Sequence, residues 1–202
     1  MARQAVTRRE VLTQSARLFA AHGYRSTSLA LVSEQLGVTR QALYYHFRSK
    51  GDILGALFDE LMTKLETSAA ASEAASPDDT PRFVRLLRGH IEVCIANLDL
   101  LALLLHERPE IAKLEWLRAN KRRREYTQIF IDAYDEGIAS GVLVDLDSWV
   151  AVNTMLSAAN GVSTWYHGKR AQGPADRFRD QVLTLLCHGH LMPEGQACLP
   201  AG

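Results

Sequence analysis

The stretch SLALVSEQLGVTRQALYYHFRSK, residues 28–50, decides the fold of this chain, because its pattern indicates two short helices joined by a tight turn. Apolar residues recur at Leu29, Val32 and Leu36, the spacing that places one apolar stripe on a helix. Gly37 then predicts the end of that helix. Two short helices joined by a Gly-containing turn are typical of a helix-turn-helix motif, whose second helix enters the major groove of DNA.

The beginning of the second helix carries the side chains that such a motif uses to recognise bases. Thr39 is a typical N-cap, so Arg40 and Gln41 stand in the first turn. Arginine can bond a guanine, and glutamine an adenine, through two hydrogen bonds each. Tyr44 lies one turn later on the same face and could touch a thymine methyl or a phosphate. Packing of Tyr44 or Tyr45 in a small core is the alternative.

Charge is unevenly distributed along a chain whose 23 basic and 23 acidic side chains cancel overall. The first 50 residues carry eight Lys or Arg against two acids, a net charge of +6, so the remainder carries −6. A basic end on an acidic body suits a protein that presents one end to a polyanion. The distribution therefore favours double-stranded DNA as a partner, although a solvated basic face alone is common.

The sequence lacks targeting, membrane and catalytic motifs. The N-terminus has no apolar signal-peptide run, and no stretch reaches the ~18–20 apolar residues that span a bilayer, so we expect a cytoplasmic protein without a membrane partner. No GxSxG, HExxH, P-loop or GxGxxG motif is present, so we predict that the chain is not an enzyme.

Cysteines and histidines predict neither a disulfide framework nor a metal site. The three cysteines form no paired motif, and Cys94 and Cys187 are interpreted as small core residues. Cys187, His188 and His190 are close in sequence, but no second cluster completes a zinc site. His90 is a satisfied residue of the body or, alternatively, a polar group of a pocket.

Helical periodicity recurs along most of the chain, interrupted by connections at residues 67–81 and 167–174, and no segment alternates in the manner of a strand. The sequence therefore predicts an all-α fold of about nine helices. Thr7 with Glu10 forms a capping-box pattern at the first helix, while Thr27 or, alternatively, Ser28 caps the second. Gly141 should end the long helix of the body.

The longer stretch GYRSTSLALVSEQLGVTRQALYYHFRSKGDIL strongly resembles the N-terminal DNA-binding domain of TetR-family transcriptional regulators. The likeness lies in the Gly-aromatic pair, the LGVT turn, the LYYHF end of the second helix and the Ser-Lys pair that follows. It implies a helix-turn-helix DNA-binding domain at residues 1–52, a helical ligand-binding and dimerisation domain at residues 53–192, and a disordered tail at residues 193–202. It also implies a homodimer formed through the last two helices.

The resemblance adds phosphate contacts to the predicted DNA-binding surface, by the positions that match the family's motif. Together with the base-reading candidates, the predicted DNA contacts are Thr27, Thr39, Arg40, Gln41, Tyr44, Tyr45, His46 and Lys50.

Two stretches of the body, residues 118–143 and 161–169, resemble the branch of the family that senses acyl-CoA thioesters, including regulators of steroid-ring catabolism. Members of that branch can hold CoA with an Arg and a Trp on the first dimer helix, and the corresponding positions here are Leu156 and Asn160. The basic pair at 169–170 offers other phosphate partners. The resemblance implies an acyl-CoA or another amphiphile as the effector, with no permanent cofactor.

An effector pocket should lie among the central helices of the body, lined by apolar residues with few polar groups. Core packing is the alternative for each candidate. The predicted lining residues are Leu103, His106, Trp116, Tyr126, Phe130, Asn153 and Met155. These features predict a ligand-released transcriptional repressor; the alternative is an architectural or cell-division DNA-binding factor of the same fold without a ligand.

Overall fold

The structure is a computed structural model, which describes residues 6–74, 80–106, 113–166 and 175–188, with the backbone alone described for residues 113–118. These residues form nine helices and no strand, which confirms the all-α prediction. The helices are α1 (Arg8–His22), α2 (Leu29–Gln35), α3 (Arg40–His46), α4 (Lys50–Ala74), α5 (Arg82–Ala96), α6 (Leu98–His106), α7 (Lys113–Ala139), α8 (Ser148–Trp165) and α9 (Ala175–His188).

N-cap residues fix the beginnings of the first three helices. The predicted capping box of α1 is present, with Thr7 and Glu10 each accepting a hydrogen bond from the other's backbone N–H. Ser28 caps α2 by accepting from the Leu31 N–H at 3.1 Å, so the alternative cap is the correct one and Thr27 is not the cap. Thr39 caps α3 as predicted, accepting from the Ala42 N–H at 3.2 Å.

Gly37 ends α2 and sets the turn between the two helices of the motif. Its φ of +65° lies in the left-handed region, where a side chain is strained. The Gly37 N–H donates to the Glu34 carbonyl at 3.0 Å, and the Val38 N–H donates to the Ser33 carbonyl, also at 3.0 Å. This pair of bonds is a Schellman motif, which satisfies the last carbonyls of α2 and directs the chain into α3.

Helix α4 connects the N-terminal head (α1–α3) to the body (α5–α9). It is 25 residues long and packs against α1 on one side and against α5, α6 and α7 on the other. Asp52 accepts hydrogen bonds from the backbone N–H groups of Arg48 and Ser49, at 2.9 and 3.0 Å, which stabilises the start of the helix. Helix α4 is therefore in contact with both the head and the body.

Helix α5 lies at the centre of the body, in contact with α4, α7, α8 and α9. It approaches α4 closely at Gly89, where a Cβ would lie 2.7 Å from the Ser68 hydroxyl and that side chain would have to shift. Beside it, Phe83 packs edge-on against Phe130 and Tyr134, with ring centres 6.2 and 5.1 Å apart. These aromatic contacts bind α5 to α7.

Helix α7 ends at a second Schellman turn, where Gly141 has a φ of +72°, as the sequence predicted. Arg122 on the same helix forms ion pairs with Asp59 and Glu66 of α4, at 3.0 and 2.6 Å. Among the described helices, no single one is long and apolar enough to cross a membrane; α5 and α6 pass that test only as a pair bent by 90°.

Candidate nucleic-acid interface and ligand cavity

Helix α3 buries one side and leaves the predicted base-reading residues on its outer side. Leu43 is fully buried, whereas Arg40 and Gln41 are exposed. Tyr44 is 50% exposed and Tyr45 is 86% exposed, so neither packs in the core of the head. The four outer side chains can therefore approach a ligand in solution without any change in the fold.

A groove of about 390 Å³ lies between the start of α2 and the outer side of α3, bordered by Ser28, Arg40, Tyr44 and Lys50 among others. The Lys50 ammonium donates to the carbonyl of Tyr24 at 2.8 Å and lies 4.5 Å from the centre of that ring. Lys50 thus fastens the loop before α2 to α4 and places a positive charge at the border of the groove.

Thr27 does not have the environment of a phosphate contact. Its side chain is buried, and its hydroxyl donates to the carbonyls of Gly23 and Leu18, at 2.8 and 3.3 Å. Its hydroxyl therefore ties the loop to α1, and this geometry argues against the phosphate role predicted for that group. Ser28, the true N-cap of α2, is the exposed hydroxyl at this position.

His46, at the end of α3, is half-buried and contacts the N-terminal segment. Its Nε2 lies 2.8 Å from the carbonyl oxygen of Val6, so the Nε2–H donates to that oxygen. The other ring nitrogen, Nδ1, is the atom left for a phosphate, and it can donate only when the ring is protonated. The Tyr45 ring packs edge-on against this imidazole, with centres 5.1 Å apart.

The body encloses a cavity of about 260 Å³ between α4, α5, α6, α7 and α8. Of the predicted lining residues, Tyr126 and Asn153 lie in its wall. The apolar part of the wall consists of Phe58, Leu61, Met62, Leu65, Leu101, Leu104, Leu105 and Leu156, and the polar part of His90, Arg123, Tyr126, Thr127, Asn153, Ser157, Asn160 and the backbone at Gly161.

The other predicted lining residues lie elsewhere. Phe130 is fully buried in the aromatic core, because its ring fills the space between α5 and α7. Leu103 and His106 stand on sides of α6 that do not border the cavity, and Met155 is displaced from it because its neighbour Leu156 takes the inward position on α8. The side chain of Trp116 lies outside the described residues, as do residues 169–170 and the tail.

A polar cluster at the cavity joins three helices. The His90 Nδ1 lies 3.0 Å from the Tyr126 hydroxyl oxygen, and the His90 Nε2 lies 3.5 Å from the Cys94 sulfur. The Cys94 thiol also donates to the Asn160 Oδ1 at 3.5 Å. The alternative interpretation of His90, as a pocket polar group, is thus the one that fits its position in the cavity wall.

Burial keeps this cluster uncharged. Desolvation lowers the pKa of His90 to about 4, and a hydrogen bond that the ring donates to Asn160, the smaller influence, raises it. Desolvation also raises the pKa of Cys94 to about 12 and raises the pKa of Tyr126 above its ordinary value. At neutral pH the cavity therefore offers neutral donors and acceptors at this cluster.

Among the described residues, Arg123 is the one charged side chain in the wall of this cavity. It is exposed, so the cavity meets solvent beside it. The described residues give its guanidinium no ion-pair partner, in contrast to the adjacent Arg122, which is paired with α4. The basic run on α7 therefore combines a structural arginine with one that is free to meet an anion.

Sequence reasoning missed most of the polar wall, although one signal was present. Asn153 and Asn160 are seven residues apart, which places them on the same face of α8, two turns apart. His90 and Cys94 share a face of α5 in the same way. Cys187, interpreted as a core residue, is exposed in the last turn of α9, so that interpretation is wrong.

Both parts of the chain match known families. Residues 11–57 match the model described as "Bacterial regulatory proteins, tetR family", and residues 76–189 match "Tetracyclin repressor-like, C-terminal domain". Curated regulators with 31% to 38% identity align over only 32% to 40% of their own length. The transcriptional repressor KstR2 of Mycolicibacterium smegmatis is 25% identical over 204 residues, and the alignment covers 95% of each chain.

Solved structures extend the match to nearly the whole chain. A transcriptional regulator of the TetR/AcrR family from Thermobifida fusca is 31% identical, with a TM-score of 0.72 and coverage of 92% of this chain and 98% of that one. AibR, solved with isovaleryl coenzyme A and operator DNA, has the same fold, with a TM-score of 0.77, 19% identity and coverage of 89% and 97%. The chain therefore belongs to the TetR family of bacterial transcriptional regulators.

Proposed function

We propose that this protein is a homodimeric repressor that binds operator DNA through α3 and leaves it when a small amphiphile occupies the body cavity. The observation that carries the proposal is the exposure of Arg40 and Gln41 at the start of a capped helix, on the basic end of the chain. Such a protein acts on DNA in the cytoplasm and needs no catalytic group.

The exposed side chains of the head divide into two roles. Arg40 and Gln41 contact base edges, because the first turn of a recognition helix faces the floor of the major groove. Tyr44 lies beside them and contacts a thymine methyl or a phosphate. The remaining contacts fix the register by binding phosphates, through Thr39, Tyr45, His46 and Lys50.

A dimer through α8 and α9 would bring two heads to one duplex. Exposed apolar side chains on these helices support this interface: Trp149 is 65% exposed, Trp165 is 58% and Leu185 is 45%. Apolar surface of this kind marks an association site. Two heads must then lie about 34–36 Å apart to enter successive major grooves on one side of the DNA.

The cavity sets the size and polarity of the effector. A cavity of about 150 Å³ holds benzene, so the 260 Å³ here fits roughly ten non-hydrogen atoms. Apolar walls and an arginine at the opening suit a short acyl chain with an anionic end, and a CoA thioester could place only its acyl part inside. AibR, of the same fold, binds such a thioester. The cavity also favours a ligand-responsive repressor over an architectural factor.

Release follows from the position of α4. An effector that fits one spacing of the heads better than another shifts the dimer toward that spacing, by its difference in binding free energy, commonly ~1–3 kcal/mol. Helix α4 borders the cavity with Leu61 and Leu65 and packs against α1 near its start, so it connects the two sites.

The test is the double substitution Arg40→Ala/Gln41→Ala. An operator selected in vitro from genomic fragments should bind the wild type, and the double variant should bind it at least about thirtyfold more weakly, since each contact contributes ~1–3 kcal/mol. Gel-shift titration at fixed salt measures the ratio. The control Arg124→Ala/Gln128→Ala removes the same groups from the exposed side of α7 and should bind normally. Equal binding by both variants would refute the proposal.

The dimer interface has its own test. Leu185→Arg places a charge on the exposed side of α9 and should give a monomer in analytical ultracentrifugation. Val142→Arg introduces the same charge at an apolar residue that is 56% exposed, against 45% for Leu185, in the turn after α7, and should leave the dimer intact. The reverse result would move the interface to that turn.

A further inference from the structure

In the polar cluster of the body cavity, the donor and the acceptor of each hydrogen bond can be deduced in turn. His90 is fully buried and neutral at physiological pH, so its ring carries a single N–H. The position of that proton is set by the neighbour that can only accept. The Cys94 sulfur is this neighbour, since its thiol proton is donated to the Asn160 Oδ1 and the sulfur lies 3.5 Å from the His90 Nε2.

The remaining bonds follow from this acceptor. With the thiol proton donated to Asn160, the ring proton belongs on Nε2, the nitrogen on the Cys94 side. Nδ1 then carries a lone pair and accepts from the Tyr126 hydroxyl at 3.0 Å. The chain runs from Tyr126 through His90 and Cys94 to Asn160, and each group donates to the next.

The end of this chain is an amide nitrogen without a described partner. Because the Asn160 oxygen is turned into the cluster, its Nδ2 is turned away from it, on a residue that lines the cavity and is only partly buried. This NH₂ group makes no hydrogen bond to a described residue. Asn153, on the same face of α8, differs, since its Nδ2 donates to the Trp149 carbonyl at 2.8 Å.

We propose that the Asn160 amide N–H is a specificity-determining donor, which makes the cavity select small apolar ligands carrying an acceptor oxygen, such as a ketone or acyl carbonyl, over hydrocarbons of the same shape. The proposal deepens the proposed function, because it takes this cavity to be the effector site. A site built to hydrogen-bond a ligand disfavours an analogue that leaves its donor unpaired.

Three probes of equal size and shape test the proposal on the full-length protein: 2-octanone, an acceptor; 2-methyl-1-octene, neither donor nor acceptor; and 2-octanol, both. Titration calorimetry gives the ratio of the alkene Kd to the ketone Kd. Comparison of this ratio between wild type and Asn160→Leu cancels the different hydrophobicity of the probes. We expect Asn160→Leu to lower the ratio by about three- to tenfold.

Gln128→Leu is the matched control, since it also replaces an amide side chain by leucine but on the exposed side of α7, outside the cavity wall, and should leave the ratio unchanged. An unaltered ratio in Asn160→Leu would overturn the proposal, as would failure of all three probes to bind the wild type. A preference of the wild type for 2-octanol over 2-octanone that Asn160→Leu abolishes would also overturn the proposal, because the amide oxygen would then face the cavity.

A measurement on the wild type avoids any dependence on how a variant folds. Nitrogen-15 NMR of histidine-labelled protein, with the His90 signals assigned by their loss in His90→Gln, should show the proton on Nε2. A proton on Nδ1 would overturn the proposal. Operator binding by the same preparations tests the proposed function separately, since it depends on Arg40 and Gln41 and not on the cavity.

Discussion

The head and the body present their functional groups in opposite ways. In the head, Arg40 and Gln41 stand exposed on one short helix, whose start is set by a cap one residue away. In the body, His90, Tyr126 and Asn160 come from α5, α7 and α8 and meet in a cavity wall. The head therefore depends on local sequence, and the body on contacts between residues far apart in the chain.

The largest loss of stability should follow the replacement of an aromatic residue in the core of the body. Phe130 is fully buried, and its ring packs against Phe83 and His90 with centres 6.2 and 5.9 Å apart. Phe130→Ala should lower the free energy of unfolding by ~3–5 kcal/mol, measured by urea denaturation. Tyr45→Ala removes an aromatic ring that is 86% exposed on the head and should change it by less than ~0.5 kcal/mol. Similar losses would contradict the contrast between the two regions.

The second effect is a loss of stability in acid that originates in the body. The folded state holds His90 neutral down to a pKa of about 4, while the unfolded chain takes up its proton near pH 6.5. Stability present above pH 6.5 is therefore lost as the pH falls through this window, by about 3 kcal/mol in total. Cys94 and Tyr126 stay neutral there, because burial raises the pKa of both.

Urea denaturation between pH 7 and pH 4 measures this loss. His90→Gln should flatten the profile, since the glutamine binds no proton in either state. His22→Gln, an exposed site at the end of α1, should keep the steep fall. If both variants fall as steeply as the wild type, the acid sensitivity has another source.

The same contrast explains what the sequence could predict. Thr39 and Gly37 act on atoms at most four residues away, so a spacing pattern suffices to locate α3 and its outer side. The cavity wall requires the register of five helices against one another. Phe130 and Tyr126 have the same periodicity on α7, yet only packing against α5 and α8 decides that one is core and the other borders the cavity.

Two glycines should respond with opposite signs. Gly37→Ala forces a side chain into the left-handed region at the turn of the head and should lower the free energy of unfolding by ~1–2 kcal/mol. Gly161 lies inside α8, and a Cβ there would meet no atom within 4 Å. Gly161→Ala should therefore raise the free energy of unfolding by ~0.5–1 kcal/mol, since glycine weakens a helix interior. Thermal unfolding decides; a loss at both sites would mean that Gly161 is also required by packing.

The smallest predicted change in stability distinguishes two adjacent arginines of α7. Arg122 is 28% exposed and binds Asp59 and Glu66, so Arg122→Met should lower the free energy of unfolding by about 1 kcal/mol or less, and less still at high salt. Arg123 makes no described ion pair and borders the cavity, so Arg123→Met should leave stability unchanged.

In the binding of an anionic ligand, Arg123 should matter and Arg122 should not. Octanoate, whose chain suits the cavity and whose carboxylate suits Arg123, should bind Arg123→Met up to about fivefold more weakly in titration calorimetry, the range of an exposed ion pair. Arg122→Met should bind it normally. The opposite result would place the anion beside α4, at the ion pairs that hold α7 to the helix leading into the head. Anion binding would then directly break the ion pairs between Arg122 and α4. The ligand site of the body would no longer be separate from the helix that connects it to the DNA-binding head.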